Sequence, residues 1–266
     1  MLVVLPELLI APLLVAASTV AARRWGARVG GLVSGFPAVV GPVLLIVAQL
    51  RGAAFAARTA NGTLLGLVAL SGFAVAYAKS ALRWRWHTSL MMGWAWAAFL
   101  AAVLAVWGQR LAFPAGLAAA TVSLAIAHRA IPRGAGAGLP RRPPNSWRRD
   151  IPLRVGATVA LILALTAAVD TLGSLIGGVL TALPTLASVL AVFTHRDEGP
   201  HAVAMLLRGM IIGMAGFVGF CAVVAVMVVP VGAPTAFGAA AVGAVVLQAA
   251  ALGCRAQLTR RLSWRW

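Results

Sequence analysis

Nine stretches of about 20 mostly apolar residues follow one another along the chain, and charged residues fall almost entirely between them. An apolar α-helix of that length crosses a lipid bilayer. Only 10% of the residues are charged and 62% are hydrophobic, whereas soluble domains carry about 25% charged residues. The sequence therefore predicts an all-α polytopic membrane protein and excludes an ordinary soluble domain.

The predicted transmembrane helices are nine in number. They cover residues 2–22, 29–50, 59–78, 88–108, 112–130, 151–170, 173–194, 203–229 and 235–254. The segment 203–229 is long for one pass, and a turn near Gly216 or Gly219 would divide it in two.

The basic residues predict the orientation. With the N-terminus outside, 18 of the 22 Lys and Arg residues fall in the segments on the cytoplasmic side, and only Arg51, Arg58 and Arg110 fall outside. Because cytoplasmic loops carry an excess of Lys and Arg, this split predicts an N-out, C-in protein. Lys79 is the only lysine, and together with the excess of Ala, Gly and Val this suggests a GC-rich prokaryotic genome, so we expect the prokaryotic inner membrane.

The net charge of +17 would suggest nucleic acid as the partner of a soluble protein. Here the arginines flank apolar segments, so we expect membrane lipids, with anionic headgroups at the cytoplasmic face, as partners, and no nucleic acid. The sequence contains no phosphate-binding loop of the Walker type, and its four histidines are scattered. We therefore expect no cofactor and no metal; the oligomeric state stays open.

The chain resembles itself at a fixed offset. The segment from Gly30 to Pro37 is similar to the segment from Gly177 to Pro184, and the offset between them is 147 residues. The same offset aligns Gly52 with Gly199 and carries the next pairs into register: Gly62 with Gly209, Gly66 with Gly213, Gly72 with Gly219, and Phe73 with Phe220. This register predicts two four-helix repeats, at 1–108 and 148–255.

Five helices separate equivalent positions, so the two repeats are predicted to be inverted in the membrane. The predicted units are a first four-helix repeat, 1–108, a connector helix, 109–131, a cytoplasmic linker, 132–149, a second four-helix repeat, 150–255, and a basic cytoplasmic tail, 256–266. Inverted repeats are a recurring plan of secondary transporters, in which the substrate binds where the repeats meet.

Pro37 and Pro184 lie at equivalent places inside predicted helices, each after a glycine pair and a hydroxyl residue, Ser34 or Thr181. Proline removes a backbone hydrogen bond, and a freed polar group in hydrocarbon needs a partner. The pattern favours two interrupted helices that bind solute near the bilayer centre; two kinked packing helices are the alternative interpretation.

Other polar residues complete the predicted substrate site. Arg208 and its equivalent Asn61 are expected to flank the same cavity and to bind a polar or anionic solute. Glu7 and Asp170 are candidates for proton coupling, because carboxylates inside a membrane often carry protons. An interfacial position is the alternative for both.

Three functions fit these features. The first is a small secondary transporter or permease that moves a small polar or anionic solute by alternating access. The second is a membrane-embedded lipid-modifying enzyme, and the third is an accessory or structural membrane subunit. Five acidic residues in the whole chain argue against an enzyme.

Overall fold

The computed structural model describes residues 4–37, 40–107, 111–133, 151–163 and 184–263, with side chains described between residues 10 and 250 of these ranges. Within them the chain forms ten α-helices. These are α1 (Val4–Trp25), α2 (Ala27–Ser34), α3 (Val40–Arg51), α4 (Ala53–Ala81), α5 (Trp86–Trp107), α6 (Phe113–Ala130), α7 (Ile151–Leu163), α8 (Thr185–Glu198), α9 (Pro200–Val231) and α10 (Ala233–Ser263).

The predicted all-helical class is confirmed for the described residues. Among the described residues, four helices are long and apolar enough to cross a membrane: α4, α5, α9 and the part of α10 from Ala233 to Ala250. These four helices indicate a membrane-embedded protein. Two further apolar helices, α3 and α7, are shorter over their described residues.

Helix α9 shows whether the segment 203–229 forms one helix or two. It is one continuous helix of 32 residues, and neither Gly216 nor Gly219 interrupts it. An interior glycine costs only about 1 kcal/mol of helix stability, which the burial of this helix offsets. The segment is therefore one long helix.

The predicted helix at 29–50 is interrupted, as its prolines suggested. Helix α2 ends at Ser34 and α3 begins at Val40. Pro37 has no N–H with which to continue α2, and it disfavours helical geometry at the preceding residue, Phe36. The chain therefore leaves the helix over Gly35–Pro37.

The core lies between α4 and α9, which pack against each other. Phe73 and Tyr77 of α4 and Leu207 and Val224 of α9 are fully buried. Helices α5 and α6 pack on α4, while α2, α6, α8 and α10 pack on α9. This pair is therefore the centre around which these helices are arranged.

Helix α2 approaches α9 at backbone distance. A methyl group added at Gly31 would collide with the carbonyl oxygen of Leu206, and one added at Gly209 would collide with the carbonyl oxygen of Arg28. One added at Gly35 would lie 2.7 Å from the carbonyl oxygen of Met210. Small residues allow such close helix packing, which places the end of α2 directly against the core.

Candidate functional site

The first interruption ends α2 with a compact turn. The Ser34 hydroxyl donates a hydrogen bond to the Gly31 carbonyl at 2.6 Å. The Gly35 N–H contacts the carbonyls of Gly31 and Leu32, at 3.1 and 3.2 Å, and the Phe36 N–H donates to Val33. The last carbonyls of α2 therefore find donors within the turn, as an interruption in an apolar environment requires.

The second predicted interruption, at Pro184, coincides with the start of α8; the residues directly before Pro184 lie outside the described residues. Pro184 immediately precedes the helix, and its carbonyl accepts hydrogen bonds from the Ser188 N–H at 2.8 Å and the Ser188 hydroxyl at 2.7 Å. Ser188 in turn accepts a hydrogen bond from the Trp94 indole N–H at 2.8 Å. The start of α8 is therefore fixed against α5.

The two interruptions line one cavity. Its volume is about 210 Å³, and Ser34, Gly35 and Phe36 contribute from the first interruption, while Pro184 and Thr185 contribute from the second. The remaining walls come from α1, α3, α4, α7, α8 and α9 and are apolar. Ser34 and Thr185 are the only polar side chains among the described lining residues.

The first turn of α8 forms part of the cavity wall. Thr185, Leu186 and Ala187 are the first three residues of the helix, and all three line the cavity. The helix dipole places partial positive charge at this end, and the N–H groups of Leu186 and Ala187 have no acceptor within the helix. The arrangement suits a small solute that carries a hydrogen-bond acceptor or a negative charge.

The other predicted site residues either do not line the cavity or are not fully described by the structure. Pro37 is buried next to the cavity, where its carbonyl accepts a hydrogen bond from the Gly41 N–H at 3.1 Å, but it is not among the lining residues. Thr181 and Asp170 lie outside the described residues. Glu7 lies in α1, and its side chain is not described.

Asn61 and Arg208 are not brought together. Asn61 donates a hydrogen bond to the Leu111 carbonyl at 3.4 Å, just before α6, whereas Arg208 donates to the Ile131 carbonyl at 2.9 Å, just after α6. The 18 residues of α6 span about 27 Å. Neither residue lines the cavity between the interruptions, so the structure separates both from Ser34 and Pro184.

Several lining residues were not singled out in the sequence. Phe36 and Thr185 stand directly beside the prolines, and Met210, Met214 and Phe217 come from α9. Thr185 carries a signal that sequence analysis can use, because the residue after a helix-starting proline occupies the first helical turn. The α9 residues carry none, since Met and Phe on an apolar helix are ordinary core residues.

The chain matches no protein-family model, no curated protein and no solved structure. The geometry of the cavity and the sequence pattern at Pro37 and Pro184 are therefore the features that indicate a function.

Proposed function

We propose that this protein is a small secondary transporter or permease of the prokaryotic inner membrane that moves a small polar or anionic solute by alternating access. The observation that carries the proposal is the cavity lined by Ser34–Phe36 of one interrupted segment and by Pro184 and Thr185 of the other. Interrupted helices that meet at a cavity are typical substrate sites of transporters built from inverted repeats.

The positions of helix starts support the repeat. Gly52 and Gly199, at the 147-residue offset, have φ angles of 85° and 92°, and each precedes one of the two long central helices. Helices α5 and α10 begin at Trp86 and Ala233, which are separated by the same offset. Equivalent residues therefore start equivalent helices in the two halves.

The buried residues of α5 and α10 are also related by the offset of 147 residues. On α5 the buried residues are Ser89, Gly93 and Ala97. On α10 the buried small residues are Ala236, Ala240 and Ala244, again 147 positions later. These stripes pack α5 on α4 and α10 on α9, and across the halves α3 packs on α10 while α8 packs on α5. A two-fold relation between the halves accounts for this exchange of partners.

The directions of the helices support inversion. Tyr77, near the end of α4, lies 3.4 Å from His195, near the end of α8, measured from Oη to Nδ1. Helix α9 starts at Pro200, directly after α8, and packs along α4. The equivalent helices α4 and α9 therefore run in opposite directions, as an inverted repeat requires.

Basic residues support the N-out, C-in orientation. Near the start of α9, Arg154 forms an ion pair with Asp197 at 3.0 Å, and the Arg196 guanidinium lies 5.5 Å from the centre of the Trp86 ring. Arg28 packs its backbone on Gly209 at the same end. This end corresponds to the cytoplasmic face under the positive-inside rule.

A ligand screen tests the proposal. The purified protein is heated in detergent with a panel of small carboxylates, phosphates, amino acids and polyols, and a bound solute raises the apparent melting temperature. We expect at least one solute to raise it in the wild type and to lose its effect in Ser34→Leu, which fills the cavity. Thr59→Leu changes a hydroxyl on α4, away from the cavity lining, and is expected to keep the shift. A solute-dependent shift that survives in Ser34→Leu would contradict the site.

A further inference from the structure

A second cavity, separate from the one between the interruptions, lies where the start of α2 meets α6 and α9. Its volume is about 570 Å³, and Arg28, His128 and Arg129 line it on one side. The rest of its wall is formed mainly by apolar residues of α6 and α9, among them Leu124, Ile211 and Val218. One cavity therefore combines a basic end with an apolar wall.

A buried arginine supports the basic end. Arg208 is only 7% exposed, and its guanidinium donates to the Ile131 carbonyl at 2.9 Å and contacts His128 Nε2 at 3.1 Å. Because arginine has donors only, His128 Nε2 accepts this hydrogen bond, and the proton of the neutral ring is on Nδ1. Arg208 thereby orients His128 as a hydrogen-bond donor.

Two buried donors beside this cavity have no acceptor among the described residues. His128 Nδ1 and Arg28 Nε are buried and make no hydrogen bond within the described part of the chain. A buried donor without a partner costs about 1–3 kcal/mol, so such groups normally bind something. The missing partner must be an acceptor.

The chain has few carboxylates with which to supply that acceptor. The whole sequence contains five acidic and 22 basic residues. No acidic residue is among the described lining residues of this cavity. Asp197 is already paired with Arg154. An anion from outside the chain satisfies both the unpaired donors and the excess positive charge.

The apolar wall and the opening of the cavity define the rest of the ligand. Ile211 to Val218 covers two turns of α9, or about 10 Å along a helix that is long and apolar enough to cross a membrane. Thr121, Ala125 and Ala215 are exposed on the helices that border the cavity, and all three are small. The cavity therefore opens sideways along helix surfaces, where acyl chains lie in a bilayer.

We propose that this cavity binds an anionic phospholipid. Its phosphate lies beside the charges of Arg28 and Arg129 and close to the His128 Nδ1–H, and one acyl chain lies along α9 from Ile211 to Val218. The site requires neither the transport activity nor the cavity between the interruptions. It makes this lipid an integral part of the packing of α2, α6 and α9.

Native mass spectrometry of the full-length protein in detergent tests the proposal with phosphatidylglycerol and phosphatidylcholine of identical acyl chains. We expect the wild type to retain phosphatidylglycerol preferentially, and Arg28→Gln/Arg129→Gln to lower that preference roughly thirtyfold, because each of the two basic residues near a headgroup contributes about 1 kcal/mol. The control Arg51→Gln/Arg58→Gln removes the same charge near Phe55, away from this cavity, and is expected to keep the preference.

A second pair of variants leaves the charge unchanged. Ala215→Trp fills the apolar side of the cavity and is expected to release phosphatidylglycerol, whereas Val226→Trp, at an exposed position further along α9, is expected to retain it. An unchanged preference in Arg28→Gln/Arg129→Gln would overturn the proposal, and so would equal losses in that variant and its charge control. Displacement of the lipid by inorganic phosphate would assign the cavity to a soluble anion instead.

Discussion

Glycines set the distance between α2 and α9. Gly31 of α2, Gly35 directly after α2, and Gly209 and Gly213 of α9 bring the two backbones together, and a side chain at any of the four collides with a main-chain atom. Backbone atoms cannot rotate away as the end of a side chain does. The position of the first interruption relative to α9 therefore depends on residues that lack a side chain.

Replacing Gly31 with alanine tests this packing. We expect Gly31→Ala to lower the free energy of unfolding by about 1–3 kcal/mol, because the added methyl overpacks the contact with Leu206. Gly238→Ala is the control, since no described atom lies within 4 Å of a methyl group there. Denaturant titration in detergent measures both; equal stability of Gly31→Ala and wild type would contradict the packing.

The residues of the cavity were only partly predictable from the sequence. Ser34 and Pro184 were predicted because a proline after paired glycines recurs at one offset, and both line the cavity. Asn61 and Arg208 were predicted to face one cavity, yet they lie at opposite ends of α6. Under the proposed inversion the two membrane faces are exchanged, so equivalent residues would come together only near the bilayer centre. The 147-residue offset identifies equivalent residues, but it does not give their depth in the membrane.

At the scale of helices, Ser188 joins the second interruption to the other half of the chain. This buried residue of α8 accepts a hydrogen bond from Trp94 of α5 and donates one to the Pro184 carbonyl. The contact holds the first turn of α8 at the cavity. It also explains how a helix of only 14 residues keeps a defined position.

Removing the Ser188 hydroxyl tests this connection. We expect Ser188→Ala to cost about 1–3 kcal/mol of stability, because the Trp94 indole N–H loses its acceptor. In the background of Trp94→Phe the same substitution is expected to cost less, and a double-mutant cycle measures the difference. Ser123→Ala removes only a bond to Ala120 within α6 and serves as the control. Identical costs in both backgrounds would argue that the two side chains are independent.

Helix boundaries were more predictable than helix contacts. The start of α5 and the interruption before α3 follow from proline, glycine and the charged turns, and lie within a few residues of their predicted places. Helix α10 continues to Ser263, into the predicted basic tail. Nothing local ends it, because Gln257, Leu258 and Arg260 are good helix formers. A run of charged residues indicates where the chain leaves the membrane. It does not indicate where the helix ends.

At the scale of the whole molecule, the two halves use the same packing twice. Helix α4 packs on α5 as α9 packs on α10, with small buried residues at equivalent positions of α5 and α10. Two halves of similar packing can exchange conformations at little cost in energy. That exchange would open the cavity between the interruptions first to one side of the membrane and then to the other.

Labelling of a cysteine in the cavity from each side of the membrane tests this account most directly. In a background without Cys221 and Cys254, Ser34→Cys is reconstituted in vesicles and treated with a charged, membrane-impermeant thiol reagent from inside or from outside. Arg51→Cys and Lys79→Cys, at the two predicted membrane faces, report the orientation of the vesicles. The account predicts that Ser34→Cys is labelled from both sides, while each control is labelled from one side only. Labelling of Ser34→Cys from one side alone, or from neither, would contradict alternating access at this cavity.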